Sequence, residues 1–144
     1  MKKTIMITEA SFGTGKVMSL YFAKQGWNVV ATLHKLCDVN ELAEHSSILI
    51  KQMNVADITS IENVILDSID TFGGIDVVLN NGIYANETMN VMRAILPHFR
   101  IRNKGKLIHV NPNAENIAAT VYELADGNIL KRYCFPDDFD FLLD

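Results

Sequence analysis

The sequence is poor in cysteine and proline, and each shortage excludes a class of protein. Its two cysteines, Cys37 and Cys134, lie far apart and form no Cys-x-x-Cys motif. We therefore expect two reduced thiols, with no disulfide framework and no cysteine metal site. Only 3 of the 144 residues are proline and 49% are hydrophobic, without any low-complexity tract, which excludes a disordered or fibrous chain.

An excess of positive charge is also missing. The chain has 13 Lys and Arg against 17 Asp and Glu, for a net charge of -4. Such a balance provides no basic surface for nucleic acid, so we expect no nucleic-acid partner. The densest basic group, within residues 100–106, is interpreted as a solvated helix end and turn.

Long apolar runs are absent as well. The first three residues, Met1 to Lys3, are followed by a short apolar-leaning strand and then by Glu9. A secretory leader needs a longer apolar stretch, and a membrane span needs one longer still. The sequence therefore predicts a cytoplasmic protein without a membrane partner.

What the sequence does contain is an alternation of β-branched runs with helical periodicity. Continuous apolar runs such as Val77-Val78-Leu79 are typical of parallel strands that are covered on both faces. The alternation predicts one domain over residues 1–144, an α/β fold whose three layers enclose a doubly wound parallel sheet of about six strands. The predicted strands are residues 4–8, 28–33, 47–52, 76–80, 106–110 and 128–133.

Four helices are predicted between these strands. The first covers residues 14–25 and ends at Gly26, a residue suited to the position after a helix. The next follows Asp57, a plausible N-cap, with apolar residues spaced by three and four up to Phe72. A third covers residues 89–99, where Pro97 marks a kink or an early end. The last covers residues 117–125.

A turn with two glycines joins the first strand to the first helix; residues 8–15 read TEASFGTG. In that position backbone N–H groups can approach a phosphate at the positive end of the helix. Two interpretations stay open, a nucleotide-binding turn and a tight connection kept for packing. A P-loop is disfavoured, because Ala10 is not glycine and Val17 has no hydroxyl for magnesium.

Residues 3–32 resemble the opening of a short-chain dehydrogenase/reductase, in which Thr-Gly-x-x-x-Gly-x-Gly binds the dinucleotide. Residues 54–57 (NVAD) resemble that family's Asp-Val-x-Asp segment, and residues 76–82 (DVVLNNG) its Asn-Asn-Ala-Gly strand end. Residues 94–100 and 105–110 are similar to its fifth helix and fifth strand. The resemblance implies a Rossmann-like fold and a cofactor site formed by Thr8, Ser11, Gly13, Thr14, Gly15, His34, Asn54, Val55, Asn80, Asn81 and Gly82.

The sequence departs from this family within the cofactor site. Glu9 stands where the family has its first glycine, and Asn54 replaces an aspartate that contacts adenine. Leu33 occupies the place of the acidic residue that would hold a ribose diol, which favours NADP over NAD. Because Glu9 adds a side chain and a negative charge near the pyrophosphate, we expect weak or lost binding of the cofactor.

The family's catalytic segment has no counterpart. After Val110 the family continues with its catalytic serine and Tyr-x-x-x-Lys, but here Asn111-Pro112 follows and the motif occurs nowhere in the chain. The family's proton transfer needs a tyrosine whose pKa is lowered by that lysine. No catalytic residue is therefore assigned. Because residues 113–126 and 130–133 resemble the family's final helix and strand, the chain resembles an internally shortened member whose last strand lies beside the fifth.

Three functions remain open. The first is a catalytically silent, shortened dinucleotide-binding-type domain with at most weak NADP(H) binding. The second is an NADP-dependent oxidoreductase of a carbonyl or hydroxyl substrate that uses non-standard residues, and the third is a structural or interaction protein that retains only the fold. No metal site is expected, because His109 and Asn111 lack a carboxylate or thiol partner.

The helix over residues 88–99 carries two further expectations. Asn90 resembles an asparagine that the family carries in this helix, although the short link before it leaves that alignment ambiguous. Family members commonly pair through this helix and the following one, which is missing here. We therefore expect Met89, Met92 and Ile95 to be left uncovered and to form a homodimer interface.

Overall fold

A single parallel sheet organises the chain in the computed structural model, which describes residues 2–11, 13–36, 39–81, 85–110 and 133–135. The strand order is β3-β2-β1-β4-β5-β6, and every pairing is parallel. This order confirms the doubly wound α/β sheet. The strands are β1 (Thr4–Ile7), β2 (Asn28–Leu33), β3 (Ile48–Gln52), β4 (Val77–Asn80), β5 (Lys106–Val110) and β6 (Tyr133–Phe135).

Helices cover both faces of the sheet, because successive strand residues point to opposite sides. Ile5 and Ile7 face a core that includes residues of α1 (Gly13–Lys24) and α2 (Asn40–Ala43). Met6 faces the opposite core, with residues of α3 (Ile58–Phe72) and α4 (Ala85–Arg102). The three layers predicted from the alternation are thus observed. Among the described residues, no helix is both long and apolar enough to cross a membrane.

The helix ends agree with the sequence in two places. Gly26 follows α1 with a left-handed φ of 87°, as expected for a residue just past a helix end. Asp57 caps α3, since its carboxylate accepts a hydrogen bond from the Thr59 N–H at 3.0 Å. The short helix α2 was not anticipated from the sequence.

Helix α4 differs from the sequence expectation, because it begins at Ala85 and continues through Pro97 to Arg102. Proline removes one backbone N–H from the helix. On either side of it the helix is held by buried apolar residues, among them Ile95 and Phe99. Packing therefore outweighs the local effect of Pro97.

The expectation that α4 leaves apolar side chains uncovered is wrong. Ile95 is fully buried, Met92 is 9% exposed, and Met89 packs against the same core. These residues belong to the chain's own interior because α4 packs against α3 and the sheet. The homodimer itself stays a prediction, but uncovered apolar side chains on α4 no longer support it.

The last strand confirms one expectation and shifts another. β6 pairs with β5 in parallel, with Cys134 opposite His109, so a strand does lie beside the fifth. Its bounds, Tyr133–Phe135, overlap the predicted strand only at Tyr133. Residues 128–132 and the predicted helix over residues 117–125 lie outside the described residues.

Candidate functional site

The candidate site lies along the carboxyl edge of the sheet, where all described strands end on the same side. Thr8 follows β1, His34 follows β2, and Asn80 and Asn81 lie at the end of β4. β1 is the central strand from which the chain proceeds in one direction to β2 and β3 and in the other to β4. Ligands of open α/β sheets bind outside the strand ends at this reversal.

The turn between β1 and α1 contains a conformation that glycine usually supplies. Glu9 has a φ of +54° and is one of two non-glycine residues with positive φ among the described residues. A side chain in this conformation costs about 1 kcal/mol or more. The Ala10 N–H fixes the turn to β2 by donating to the Thr32 carbonyl at 3.0 Å. The turn thus keeps a left-handed geometry although Glu9 replaces the family's glycine.

The two glycines of the turn have different surroundings. Gly13 also has positive φ, +59°, and a Cβ built there would meet nothing within 4 Å. At Gly15 a Cβ would collide with the Glu9 carbonyl oxygen and lie 3.0 Å from Asn81 Nδ2. Gly15 is therefore required for packing, whereas Gly13 faces open space at the N-terminus of α1.

A buried polar network connects β1, β4, β5 and α4 behind this turn. Thr8 Oγ1 donates to Asn80 Oδ1 at 3.1 Å and accepts from the Asn81 N–H at 2.8 Å. Asn80 Nδ2 donates to Thr88 Oγ1 at 2.6 Å and contacts His109 Nδ1 at 3.2 Å. All five residues are at most 5% exposed. Asn80 is the centre of the network, since three of its neighbours bond to its amide.

His109 and Thr88 extend the site beyond the residues chosen from the sequence. Because the Asn80 amide nitrogen can only donate, this contact is a hydrogen bond when His109 Nδ1 is the acceptor. Thr88 was not anticipated as a site residue. Its signal in the sequence is its position on the helix face that also carries Val91, Met92 and Ile95. A hydroxyl on an otherwise apolar face needs a buried partner.

Asn81 carries one buried polar atom that the network does not satisfy. Its Oδ1 has no hydrogen-bond partner among the residues described here, and the residue is buried, with 5% of its surface exposed. Leaving such an acceptor unpaired costs about 1–3 kcal/mol. The amide lies next to Gly15 at the start of α1. An unsatisfied group in that position is consistent with a ligand that supplies a donor.

The segment after β3 holds two sequence-predicted residues in a loop of its own. Asn54 is exposed, and its Oδ1 accepts from the Ala56 N–H at 3.0 Å. The Val55 carbonyl accepts from Asn90 Nδ2 at 3.1 Å. Asn90 therefore fastens α4 to this loop, which is a positioning contact at the same edge of the sheet.

The described residues 33–36 at the end of β2 include no carboxylate. Leu33 is 1% exposed and packs in the core, while His34 and Lys35 that follow are exposed. Gln52 Nε2 donates to the His34 carbonyl at 3.2 Å and links the ends of β2 and β3. Nearby in the fold, Lys16 of α1 pairs with Glu41 of α2 at 2.9 Å.

The remaining predicted residues divide into two groups. Ser11 and Thr14 are half-buried residues of the turn and of the first turn of α1. Gly82 and Asn111 lie outside the described residues. Within the described part of the chain, no group of three or more His, Cys, Asp or Glu side chains could hold a metal ion.

A family model described as "short chain dehydrogenase" matches residues 3–123 of this chain. The chain belongs to the short-chain dehydrogenase family. A curated relative, an NADP-dependent 3-hydroxy acid dehydrogenase from Schizosaccharomyces pombe, is 30% identical over 137 residues, which cover 75% of this chain and 53% of the relative. An uncharacterized oxidoreductase of the same yeast is 33% identical over 81 residues, 56% of this chain and 27% of that protein.

Solved structures support the same fold. A short chain dehydrogenase from Bacillus anthracis has a TM-score of 0.69 and 27% identity, with 75% of this chain and 54% of that one covered. ElxO with NADP bound also has a TM-score of 0.69, at 23% identity, with 77% of this chain and 56% of ElxO covered. The chain thus spans about half the length of several proteins that it matches.

Proposed function

We propose that this chain is a catalytically silent, shortened member of the family that binds NADP(H) weakly at the carboxyl edge of its sheet. The observation that carries the proposal is the Glu9 turn. Its backbone has the left-handed φ of +54° at a position where the family has glycine, and Glu9 adds a carboxylate to the turn that leads into α1. We expect weak binding because the turn keeps the geometry for a phosphate, while the negative charge of Glu9 repels the phosphates of the cofactor.

The described residues fit a dinucleotide in three respects. The N-terminus of α1 attracts anions, Gly13 faces open space, and Asn81 Oδ1 lacks a partner among the described residues. Gly13, Thr14 and Gly15 would hold the phosphates, and Asn81 would contact an adjacent donor of the cofactor. The bound nicotinamide would supply or accept a hydride. Glu9 is the residue that opposes the fit.

The end of β2 supports NADP rather than NAD. A ribose diol is held by a carboxylate after this strand, and the buried Leu33 provides none. The exposed His34 and Lys35 offer positive or donor groups for a 2′-phosphate instead. The relative named as an NADP-dependent 3-hydroxy acid dehydrogenase agrees with this choice.

Catalytic silence rests on the missing Tyr-x-x-x-Lys motif. An oxidoreductase with non-standard residues is the alternative, and His109 at the end of β5 is the titratable side chain in the described buried network. Its Nδ1 is already engaged by Asn80 at 3.2 Å. That engagement favours a structural role over proton transfer and supports silence over the alternative.

Calorimetric titration with NADPH and with NADH tests the proposal. We expect measurable but weak NADPH binding, weaker NADH binding, and a smaller difference between the two in Lys35→Ala. Glu44→Ala, at an exposed position near α2, is the matched control and should leave both affinities unchanged. Incubation with NADPH and a panel of ketones and aldehydes should leave the nicotinamide absorbance constant.

Two results would contradict the proposal in different ways. Steady oxidation that follows the protein through purification would favour the non-standard oxidoreductase. Absence of any heat and of any thermal shift with either dinucleotide would favour a structural or interaction protein, since a ligand of the folded state raises its midpoint. The cytoplasmic location, the single domain over residues 1–144 and the homodimer through α4 remain predictions.

A further inference from the structure

At the amino edge of the sheet, two side chains of α4 hold one residue from both sides. His98 Nε2 accepts a hydrogen bond from the Ile75 N–H at 3.0 Å. Arg102, one helical turn later, donates from Nη1 to the Ile75 carbonyl at 2.8 Å. Residues four apart share a helix face, so a single face of α4 satisfies both backbone groups of Ile75.

The residue that follows, Asp76, connects this contact to the sheet. Its carboxylate accepts from the Thr4 N–H at 2.8 Å and pairs with Arg102 at 3.3 Å and Lys104 at 3.7 Å. Its backbone carbonyl accepts from the Lys106 N–H at 3.0 Å. Residues 75 and 76 thus join α4 to the starts of β1, β4 and β5.

Gly74 also lies close to the Arg102 guanidinium. A Cβ at Gly74 would lie 2.7 Å from Arg102 Cζ. The guanidinium is therefore packed directly over residues 74–76.

The contact from Ile75 depends on the protonation state of His98. A neutral imidazole can accept at Nε2, whereas both nitrogens of the charged ring are donors. Protonation would place two N–H groups against each other and a second cation one turn from Arg102. Asp76 is the carboxylate that opposes this effect. On α3, which packs against α4, the Asp70 side chain is exposed.

We propose that His98 and Arg102 form a pH-sensitive latch that holds residues 74–76 against α4 while the His98 ring is neutral and releases them when it is protonated. β4 runs directly from this latch to Asn80 and Asn81. Release at the amino edge would loosen the strand that carries the buried network at the other end. The latch is independent of whether the carboxyl edge binds a dinucleotide.

The direction of the pH effect follows from the surroundings of the ring. Burial, and secondly the Arg102 charge, lower the pKa of His98 below its ordinary value of 6.5, and they outweigh the Ile75 backbone and the Asp76 charge, which raise it. The unfolded chain therefore binds a proton at higher pH than the folded chain. Stability from the latch is fully present above 6.5 and is lost as the pH falls from there through the folded pKa.

Urea unfolding at about pH 7.5 and about pH 5.5 tests the latch with His98→Gln and the matched control His34→Gln, a change at an exposed histidine. Gln Oε1 can accept from the Ile75 N–H but does not titrate. We expect the unfolding equilibrium constant of the original chain and of His34→Gln to rise on acidification by at least about threefold more than that of His98→Gln. Equal pH dependence in all three would overturn the latch.

A second measurement keeps the test decisive if His98→Gln fails to fold. The imidazole ring signals and the Ile75 amide signal of the original chain are followed by NMR between about pH 7.5 and 5. We expect the pKa of His98 to lie below the ordinary histidine value of 6.5, with the Ile75 amide losing hydrogen-exchange protection as the ring is protonated. A His98 pKa at or above 6.5, or an Ile75 amide that stays equally protected, would contradict the proposal.

Discussion

The two edges of the parallel sheet differ in how completely their polar groups are paired within the chain. At the amino edge, the backbone groups of Ile75 and the carboxylate of Asp76 all have partners within the chain. At the carboxyl edge, Glu9 has positive φ and Asn81 Oδ1 has no partner among the described residues. The amino edge has a positive φ too, at Asn103, but asparagine tolerates this conformation better than glutamate does. The amino edge is thus satisfied by its own side chains, whereas the carboxyl edge carries the more strained residue and an unpaired acceptor.

This difference indicates where stability and where function reside. The paired groups of residues 75 and 76 fix the starts of β1, β4 and β5 without a ligand. Strained or unsatisfied groups persist where the surrounding structure holds them, and they concentrate at binding sites. The buried network under Asn80 provides that support, since it fixes β1, β4 and β5 beneath the strained turn.

The largest expected effect comes from removing the Asn80 side chain, which tests whether the buried network supports the turn. Asn80→Ala removes the contacts of the Asn80 amide with Thr8, Thr88 and His109, and these three polar side chains stay buried. We therefore expect a loss of about 3 kcal/mol or more in the free energy of unfolding. Asn54→Ala, at an exposed asparagine of the same edge, should cost no more than about 1 kcal/mol. Urea unfolding measures both. Similar losses in the two variants would mean that the network does not support the turn.

The two glycines of the turn provide a comparison of intermediate size. Gly15→Ala places a methyl group against the Glu9 carbonyl, and we expect a loss of about 2–3 kcal/mol because backbone must move. Gly13→Ala meets open space and should cost only the strain of positive φ, about 1 kcal/mol. Thermal and urea unfolding of both variants check the order. A reversal would mean that Gly15 is not closely packed.

The smallest effect sharpens the account of Glu9. Glu9→Gly removes side-chain strain and charge, whereas Glu9→Gln removes charge alone. We expect Glu9→Gly to gain about 0.5–1 kcal/mol in stability and Glu9→Gln to change little. Both should bind NADPH about tenfold more tightly. Calorimetric titration and urea unfolding measure the two properties.

The control outcomes for Glu9 are distinct. If the carboxylate stabilises the N-terminus of α1 in the free protein, both variants lose stability while NADPH still binds more tightly. Unchanged NADPH affinity in both variants would mean that Glu9 points away from the cofactor. The proposed cause of weak binding would then be wrong, and the proposal would lose its main support.

The sequence by itself determined the architecture of this protein. Runs such as Val77–Leu79 and the spacing of apolar residues in α3 depend on local pattern, so the parallel sheet and its helices could be predicted, including the cap at Asp57. The family motifs also located Thr8, Asn80 and Asn81 at one edge. These features follow from neighbours in the chain or from recognisable segments.

Only the tertiary structure decided which groups meet. Thr8 and Asn80 are 72 residues apart and share a hydrogen bond. No periodicity in the sequence indicates this bond, or the contacts of Asn80 with Thr88 and His109. The same is true of Met92 and Ile95, whose burial depends on how α4 packs against the sheet, and of His98 with Ile75. Local pattern sets the elements of a fold, but long-range packing decides which polar groups are satisfied and which remain for a ligand.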